Sequence, residues 1–157
     1  MRIHLLTRPD GSVIVLGAAP KNRKPGEDDA AFAARTLALT LTSLPAWKDY
    51  PVVAVDRAAV EPLITNRRFR DALTTAAGAL THDMPKARAL RMAEVRRDRD
   101  QKLVASDGPM LRAQERGAAE EVAALRSQRQ RLRDLPQIMT PAMEASVSAD
   151  ALAAYEP

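Results

Sequence analysis

Two pairs of adjacent carboxylates, Asp28-Asp29 and Glu120-Glu121, are the first residues of this sequence with the type and spacing for acid–base chemistry. Such work needs the two groups buried together. Each pair instead opens a stretch with helical spacing, where acids cap the helix and complement its dipole. His4 falls in a predicted strand and His82 just before a predicted helix, with no Ser or acid patterned around either as a nucleophile or relay would need. Cysteine is absent, which excludes a disulfide framework, a thiolate nucleophile and sulfur-ligated zinc. Gly11, Gly17 and Gly26 have neither the spacing nor the following Lys-Ser or Lys-Thr of a phosphate loop. The sequence predicts no catalytic residue, no metal ligand set and no cofactor.

Arginine is the residue that clusters. Arg88, Arg91, Arg96, Arg97, Arg99 and Lys102 crowd one predicted helix, and Arg126, Arg129, Arg131 and Arg133 another. Phosphate binding needs such cations on one face. Here Glu94, Asp98, Asp100, Glu120 and Glu121 are interspersed, and Glu94–Arg97 and Asp98–Lys102 have the spacing of helix ion pairs. No aromatic side chain lies between Phe69 and Tyr155 to stack on a base. The pattern favours solvated, self-paired helices over a nucleic-acid surface.

The elements that carry these side chains read as follows. Arg2–Thr7 and Ser12–Gly17 flank Arg8-Pro9-Asp10-Gly11, a β-hairpin signal with Pro at the first corner of a type I turn and Gly in the left-handed position after it. Residues 18–26 hold two prolines and no apolar period, which predicts a solvated loop. Asp28 or Asp29 starts a helix that lies across the hairpin and ends near Leu44-Pro45; a strand follows at Pro51–Val55. Asp56 and Pro62 bracket at most one helical turn, and Asn66–Leu73 reads as a strand, Phe69, Asp71 and Leu73 alternating with Arg68, Arg70 and Ala72, that Thr74–Gly78 turns into Ala79–His82. Asp83 caps a helix running to about Ala105, with Pro85 in its first turn. Ser106-Asp107-Gly108-Pro109 stops that helix and starts another, Gly117 permits a break, and a last helix runs from Ala118 to Leu135, ended by Pro136.

Two apolar seams run along this helical arm. Met92, Val95, Arg99, Leu103 and Ser106 recur at three- and four-residue steps, as do Val122, Leu125, Arg129 and Leu132. The narrow stripes predict an antiparallel hairpin with coiled-coil-like contacts. Arg99 and Arg129 on the seams either set register and partner choice or reach out of a loosely packed hairpin. A hairpin buried along one thin stripe is marginal by itself, because helices draw most stability from what they pack against. Trp47, flanked by Pro45 and Pro51, fits either a core plug or a recognition patch.

Composition agrees with three segments. Residues 1–83 carry net charge +2, residues 84–136 net +5 and residues 137–157 net −3. We read a small α+β domain over 1–83, an Arg-rich helical hairpin arm over 84–136 and an acidic C-terminal tail over 137–157 that is loosely held until a partner binds it. No apolar run approaches the roughly 18 residues of a membrane span, and the N-terminal run is too short for a secretory signal. The expected location is the cytosol, or a particle assembled in cytosol.

The order of elements over residues 66–136 resembles a group of bacteriophage and prophage tail-region proteins. Their pattern is F-R-D-A-W, a turn, D-M-x-K-A-R, an Arg-rich helix with R-x-x-R-D-x-x-L-x-x-x-D, a Gly-containing break and a helix ending L-R-D-L-P. Here these are Phe69–Ala72, Asp83–Arg88, then Arg96, Arg99, Asp100, Leu103 and Asp107, then Gly117, then Leu132–Pro136. This chain has Leu73 in place of the family's Trp, Ser106 in place of its Leu, and Tyr155-Glu156-Pro157 in place of a frequent terminal Trp-Pro. The C-terminal part is similar to phage tail assembly chaperones and to the helical ends of tail-fibre assembly proteins.

The resemblance implies a non-enzymatic tail-associated protein that binds a tail or tail-fibre protein and aids assembly. The alternative is a permanent virion subunit at the tail tip, baseplate or fibre attachment site. An Arg-rich nucleic-acid-binding protein is the third reading. Candidate partner-binding residues are Met92, Val95, Arg99, Leu103, Val122, Leu125, Arg129, Leu132, Trp47 and Tyr155. A membrane is not expected, and a homo-oligomer is left open.

Overall fold

The computed structural model describes residues 1–17 and 19–155; Ala18, where the predicted loop begins, and Glu156 and Pro157 of the terminus lie outside them. The architecture is mixed, with strands in the N-terminal half and helices throughout the C-terminal half. The chain divides after Asp83 into two compact units.

In the first unit, β1 (Arg2–Thr7), β2 (Val13–Leu16) and β3 (Val52–Asp56) form an antiparallel sheet in the order β2-β1-β3. The predicted hairpin is present, with Leu5 opposite Val15 and Thr7 opposite Val13. The Gly11 amide donates to the Arg8 carbonyl at 2.9 Å, Gly11 takes φ +78°, and the Asp10 carboxylate accepts from the Ser12 amide at 2.9 Å. Side chains alternate across a strand. Ile3 and Leu5 therefore share one face with Val13, and they join Val60, Leu73 and Leu80 in a single buried cluster. Each such aliphatic side chain contributes roughly 1.5–3 kcal/mol on burial.

Helix α1 (Asp29–Ser43) contacts β1 and begins where expected, the Asp28 carboxylate accepting from the Ala31 amide at 2.7 Å. The preceding loop is exposed but tied down. Arg35 donates to Glu27 at 2.7 and 2.8 Å and to the Asn22 carbonyl at 2.9 Å, while Arg23 pairs with Asp29. Both guanidinium groups lie over the Phe32 ring, at 5.1 and 5.5 Å from its centre.

Two expectations for this unit are corrected. Asp56 and Pro62 bracket more than one turn: α2 (Arg57–Thr65) runs for nine residues with Pro62 inside it. Val60, Leu63 and Ile64 all pack on the core at helical spacing, and that burial carries the helix past the proline. The stretch read as a strand over Asn66–Leu73 is instead two short 3-10 turns, Arg67–Ala72, joined at a kink at Phe69. Phe69 and Ala72 are three apart, the repeat of a 3-10 helix, and both are fully buried. The hairpin follows one step later, as β4 (Leu73–Ala76) and β5 (Ala79–His82), turned by Ala77 and Gly78 at positive φ.

In the second unit, α3 (Met84–Ala105), α4 (Asp107–Glu115), α5 (Ala119–Ala145) and α6 (Ala149–Ala154) pack together. The breaks fall at Ser106 and at Gly117, where φ is +68°. The predicted stop at Pro136 is not one: α5 passes through both Pro136 and Pro141. An internal proline costs about 3 kcal/mol. Against that, Pro136, Met139 and Met143 are all buried, at three- and four-residue steps on the inner face. The segment read as a loose acidic tail is therefore mostly helix, and α6 closes it by burying Ala149 and Leu152. Ser148 caps α6, accepting from the Ala151 amide at 3.1 Å.

The Glu27–Arg35 pair gives this fold a pH signature. The hydrogen bonds from the Arg35 side chain, then that from the Lys24 amide, hold the Glu27 carboxyl at about 2. A folded-state value below the unfolded one adds stability above the ordinary carboxylate range and loses it as pH falls toward the folded value. Glu27→Gln is expected to melt at lower temperature than the parent at neutral pH, with the gap closing between the usual Glu range and about pH 2. Melting curves across that window check it, and a gap independent of pH would refute the assignment.

Candidate partner-binding surface

The seam residues sit in the helical unit, and the structure assigns them mainly to its own assembly. Val95 is buried, while Met92, Leu103, Val122, Leu125 and Leu132 are half-buried. Trp47 ends a 3-10 turn, Pro45–Trp47, in the first unit and is also half-buried. Tyr155 is half-buried just after α6, and its carbonyl accepts from Arg91.

The two seam arginines separate. Arg99 pairs with its neighbour Asp100 at 2.7 Å, a contact within one helix that orders nothing distant. Arg129 instead reaches from α5 to the α3–α4 junction. It donates to the Ser106 hydroxyl and the Asp107 carboxylate, both at 2.5 Å, and to the Leu103 carbonyl at 3.2 Å. Leu103 and Ser106 lie in the last turn of α3 and just beyond it, and the Leu103 carbonyl also accepts from the Ser106 amide at 3.1 Å. Ser106 gives Arg129 a hydroxyl to bond. Its hydroxyl in turn donates to the Leu103 carbonyl at 2.6 Å.

Two arginines that spacing alone did not single out do comparable work at the other end. Arg88 donates to the Met143 carbonyl at 3.1 Å and to the Ser146 carbonyl at 2.9 Å, closing the C-terminal turn of α5 with a cation. Arg91 is only 5 % exposed; it donates to Glu94 at 2.9 Å and to the Tyr155 carbonyl at 2.7 Å. Glu94 pairs with Arg91, the buried arginine one turn before it on α3, which needs the charge. Arg88 and Arg129 contact opposite ends of both long helices, which makes α3 and α5 antiparallel, as the seams implied. The only sequence signal for these roles was the placement of arginine one turn apart in α3.

What remains open to a partner lies beside the seam. Arg88, Ala89, Met92, Arg96, Thr140, Met143 and Glu144 line a groove of about 350 Å³ between α3 and the second half of α5. Its floor is thioether and methyl groups and its rim carries charges of both signs. Near it on the chain, Ile138 and Val147 are 63 % and 88 % exposed. Among the described residues no group of three or more His, Asp or Glu side chains could hold a metal ion, and no helix is long and apolar enough to cross a membrane. Burial pushes the His4 imidazole below its usual value, as for a neutral sheet residue.

Residues 92–146, a little over a third of the chain, match the family model described as phage tail assembly chaperone protein. The resemblance read from the sequence holds over that stretch, which begins later than the sequence pattern did and continues past Pro136 to the end of α5. No curated protein and no solved structure matches the chain.

The Arg129 clip predicts coupled energetics. Arg129→Met is expected to lower unfolding free energy by about 0.5–1.5 kcal/mol, since it removes the hydrogen bonds to the Ser106 hydroxyl and to the exposed Asp107 carboxylate. Ser106→Ala is expected to cost less alone, and the double variant less than the sum, with a coupling of at least about 0.5 kcal/mol. Urea denaturation of the four proteins measures this, and strict additivity would show that the contact does not order the junction.

Proposed function

We propose that this chain is a non-enzymatic, phage tail-associated protein that binds a tail or tail-fibre protein and aids its assembly in the host cytoplasm. One observation carries the reading. The stretch similar to tail assembly chaperones spans most of α3, all of α4 and all of α5. It therefore contains most of the groove wall, including Met92, Arg96, Thr140, Met143 and Glu144.

The groove suits a transient client. Methionine is flexible and polarizable, and it adapts to partner side chains of different shape. A mixed-charge rim lets a polar partner dock without burying an unpaired charge. The seam residues act at one remove: Val95, Leu125, Leu132 and Arg129 hold α3 and α5 at the spacing that forms the groove. Arg88 and Arg129 are engaged by carbonyls and Arg91, Arg99 and Arg116 by carboxylates, which takes these five out of any phosphate-binding face.

The test is affinity capture of the tagged full-length chain from cells producing the phage, with mass spectrometry of both the captured material and purified virions. A tail or tail-fibre protein is expected in the capture, and its recovery is expected to fall at least about tenfold with Ala89→Glu, which places a charge on the exposed groove wall. This chain is expected to be absent from finished virions. Capture that is unchanged by Ala89→Glu would remove the groove. Stoichiometric presence in virions would make the chain a tail subunit instead, and recovery of nucleic acid alone would overturn the reading.

A further inference from the structure

The first unit carries a basic recess that nothing in the tail-assembly reading uses. Two 3-10 turns over Arg67–Ala72 meet at a kink at Phe69, with Arg67 and Arg70 exposed and Phe69 and Ala72 turned inward. The second pair is buried in the unit. The first pair faces a recess of about 390 Å³, and Arg57 of α2 lines it as well. Its floor is apolar: Ile3, Ile64 and Leu73 belong to the sheet-and-helix core or pack on it, and Ile3 and Leu73 are almost wholly buried.

The three guanidinium groups are not equivalent. Arg57 is held by Glu61, one turn along α2, at 2.6 and 3.1 Å. Arg67 and Arg70 have no carboxylate or carbonyl partner among the described residues, so their five-donor forks remain available. Two free forks above a hydrophobic floor define the ligand chemistry. A carboxylate is bound bidentately by a guanidinium. An aliphatic side chain next to it on a peptide would settle on Ile64 and Val15, the half-buried apolar members of the lining. A volume near the lower end of the roughly 300–1,000 Å³ range for ligand sites admits a short run of side chains. A nucleic-acid strand fits less well, because no ring lines the recess to stack a base and the floor offers nothing to a sugar–phosphate chain.

We propose that Arg67 and Arg70, with Arg57 beside them, form a docking site for an acidic peptide segment in which carboxylate and aliphatic residues adjoin. The site lies outside residues 92–146, so it stands or falls independently of the tail-assembly reading.

The experiment uses the full-length protein and fluorescence anisotropy with labelled decapeptides: one of Glu, Leu and Ser, one with each Leu replaced by Ser, and one with each Glu replaced by Lys. A single-stranded thymidine oligonucleotide is the fourth probe. The Glu-Leu peptide is expected to bind saturably, more weakly as salt rises from about 50 to about 300 mM. Arg67→Glu/Arg70→Glu is expected to weaken it at least about tenfold, with unchanged circular dichroism since both side chains are exposed. The Leu-to-Ser peptide is expected to bind several-fold more weakly, and the Lys peptide not at all. Shifts of the Arg67 and Arg70 side-chain N–H resonances on titration give a second readout that needs no variant. No saturable binding at low salt, equal binding by the double variant, equal binding of the Leu-to-Ser peptide, or tighter binding of the oligonucleotide would each overturn the proposal.

Discussion

The guanidinium of Arg91 is taken out of water in the middle of α3, and the C-terminal unit is arranged around that charge. Burying an ion costs several kcal/mol unless it is paired and hydrogen-bonded. Glu94 supplies the opposite charge from the same helix, and the Tyr155 carbonyl supplies an acceptor from beyond α6. The segment just after α6 is therefore bound to α3 by an electrostatic need as well as by the burial of Ala149 and Leu152. Arg88 and Arg129 extend the same device along the helix pair. Each arginine donates to carbonyls near a helix end, and each does so across a gap of twenty or more residues in sequence.

This device matters because the apolar interior of the unit is thin. Its buried apolar residues include three alanines, Ala87, Ala113 and Ala149, beside Val95, Met139, Met143 and Leu152. Small residues let the helices approach closely, but they bury little area and specify register weakly. Directional bonds from arginine to particular carbonyls supply the register that side-chain shape does not. The N-terminal unit uses the opposite means. Its sheet face and α2 share one aliphatic cluster, and its arginines are free to pair at the surface, as Arg35 does with Glu27, or to remain unpaired, as Arg67 and Arg70 do.

Local signals were legible wherever one residue dictates a backbone state. The Pro9-Asp10-Gly11 turn, the Asp28 cap, the break at Ser106–Pro109 and the bend at Gly117 all stand where residue chemistry put them. The signals that failed were weighed without knowing what the element packs against. Pro62 and Pro136 read as boundaries because an isolated helix would end there; buried neighbours on one face outweigh the penalty in both cases. Around Phe69 the residues compete closely between strand and 3-10 periods, and the buried positions at 69 and 72 decide for the three-residue repeat. Leu73 enters the core cluster as the first residue of β4.

The sequence by itself determined the α+β class, the two helical seams, the antiparallel sense of the arm and the absence of sulfur chemistry, because period, breakers and composition are properties of the chain alone. It also held enough ordered pattern to resemble the tail assembly chaperones over the stretch where that family matches. Only the tertiary structure decided what each arginine does. An arginine side chain is long and flexible, its charge is invariant, and spacing cannot say whether it will meet a carboxylate one turn away, a carbonyl fifty residues away, or solvent. Arg99, Arg88 and Arg70 read alike in one dimension, and the positions of carbonyls and carboxylates in three dimensions separate them.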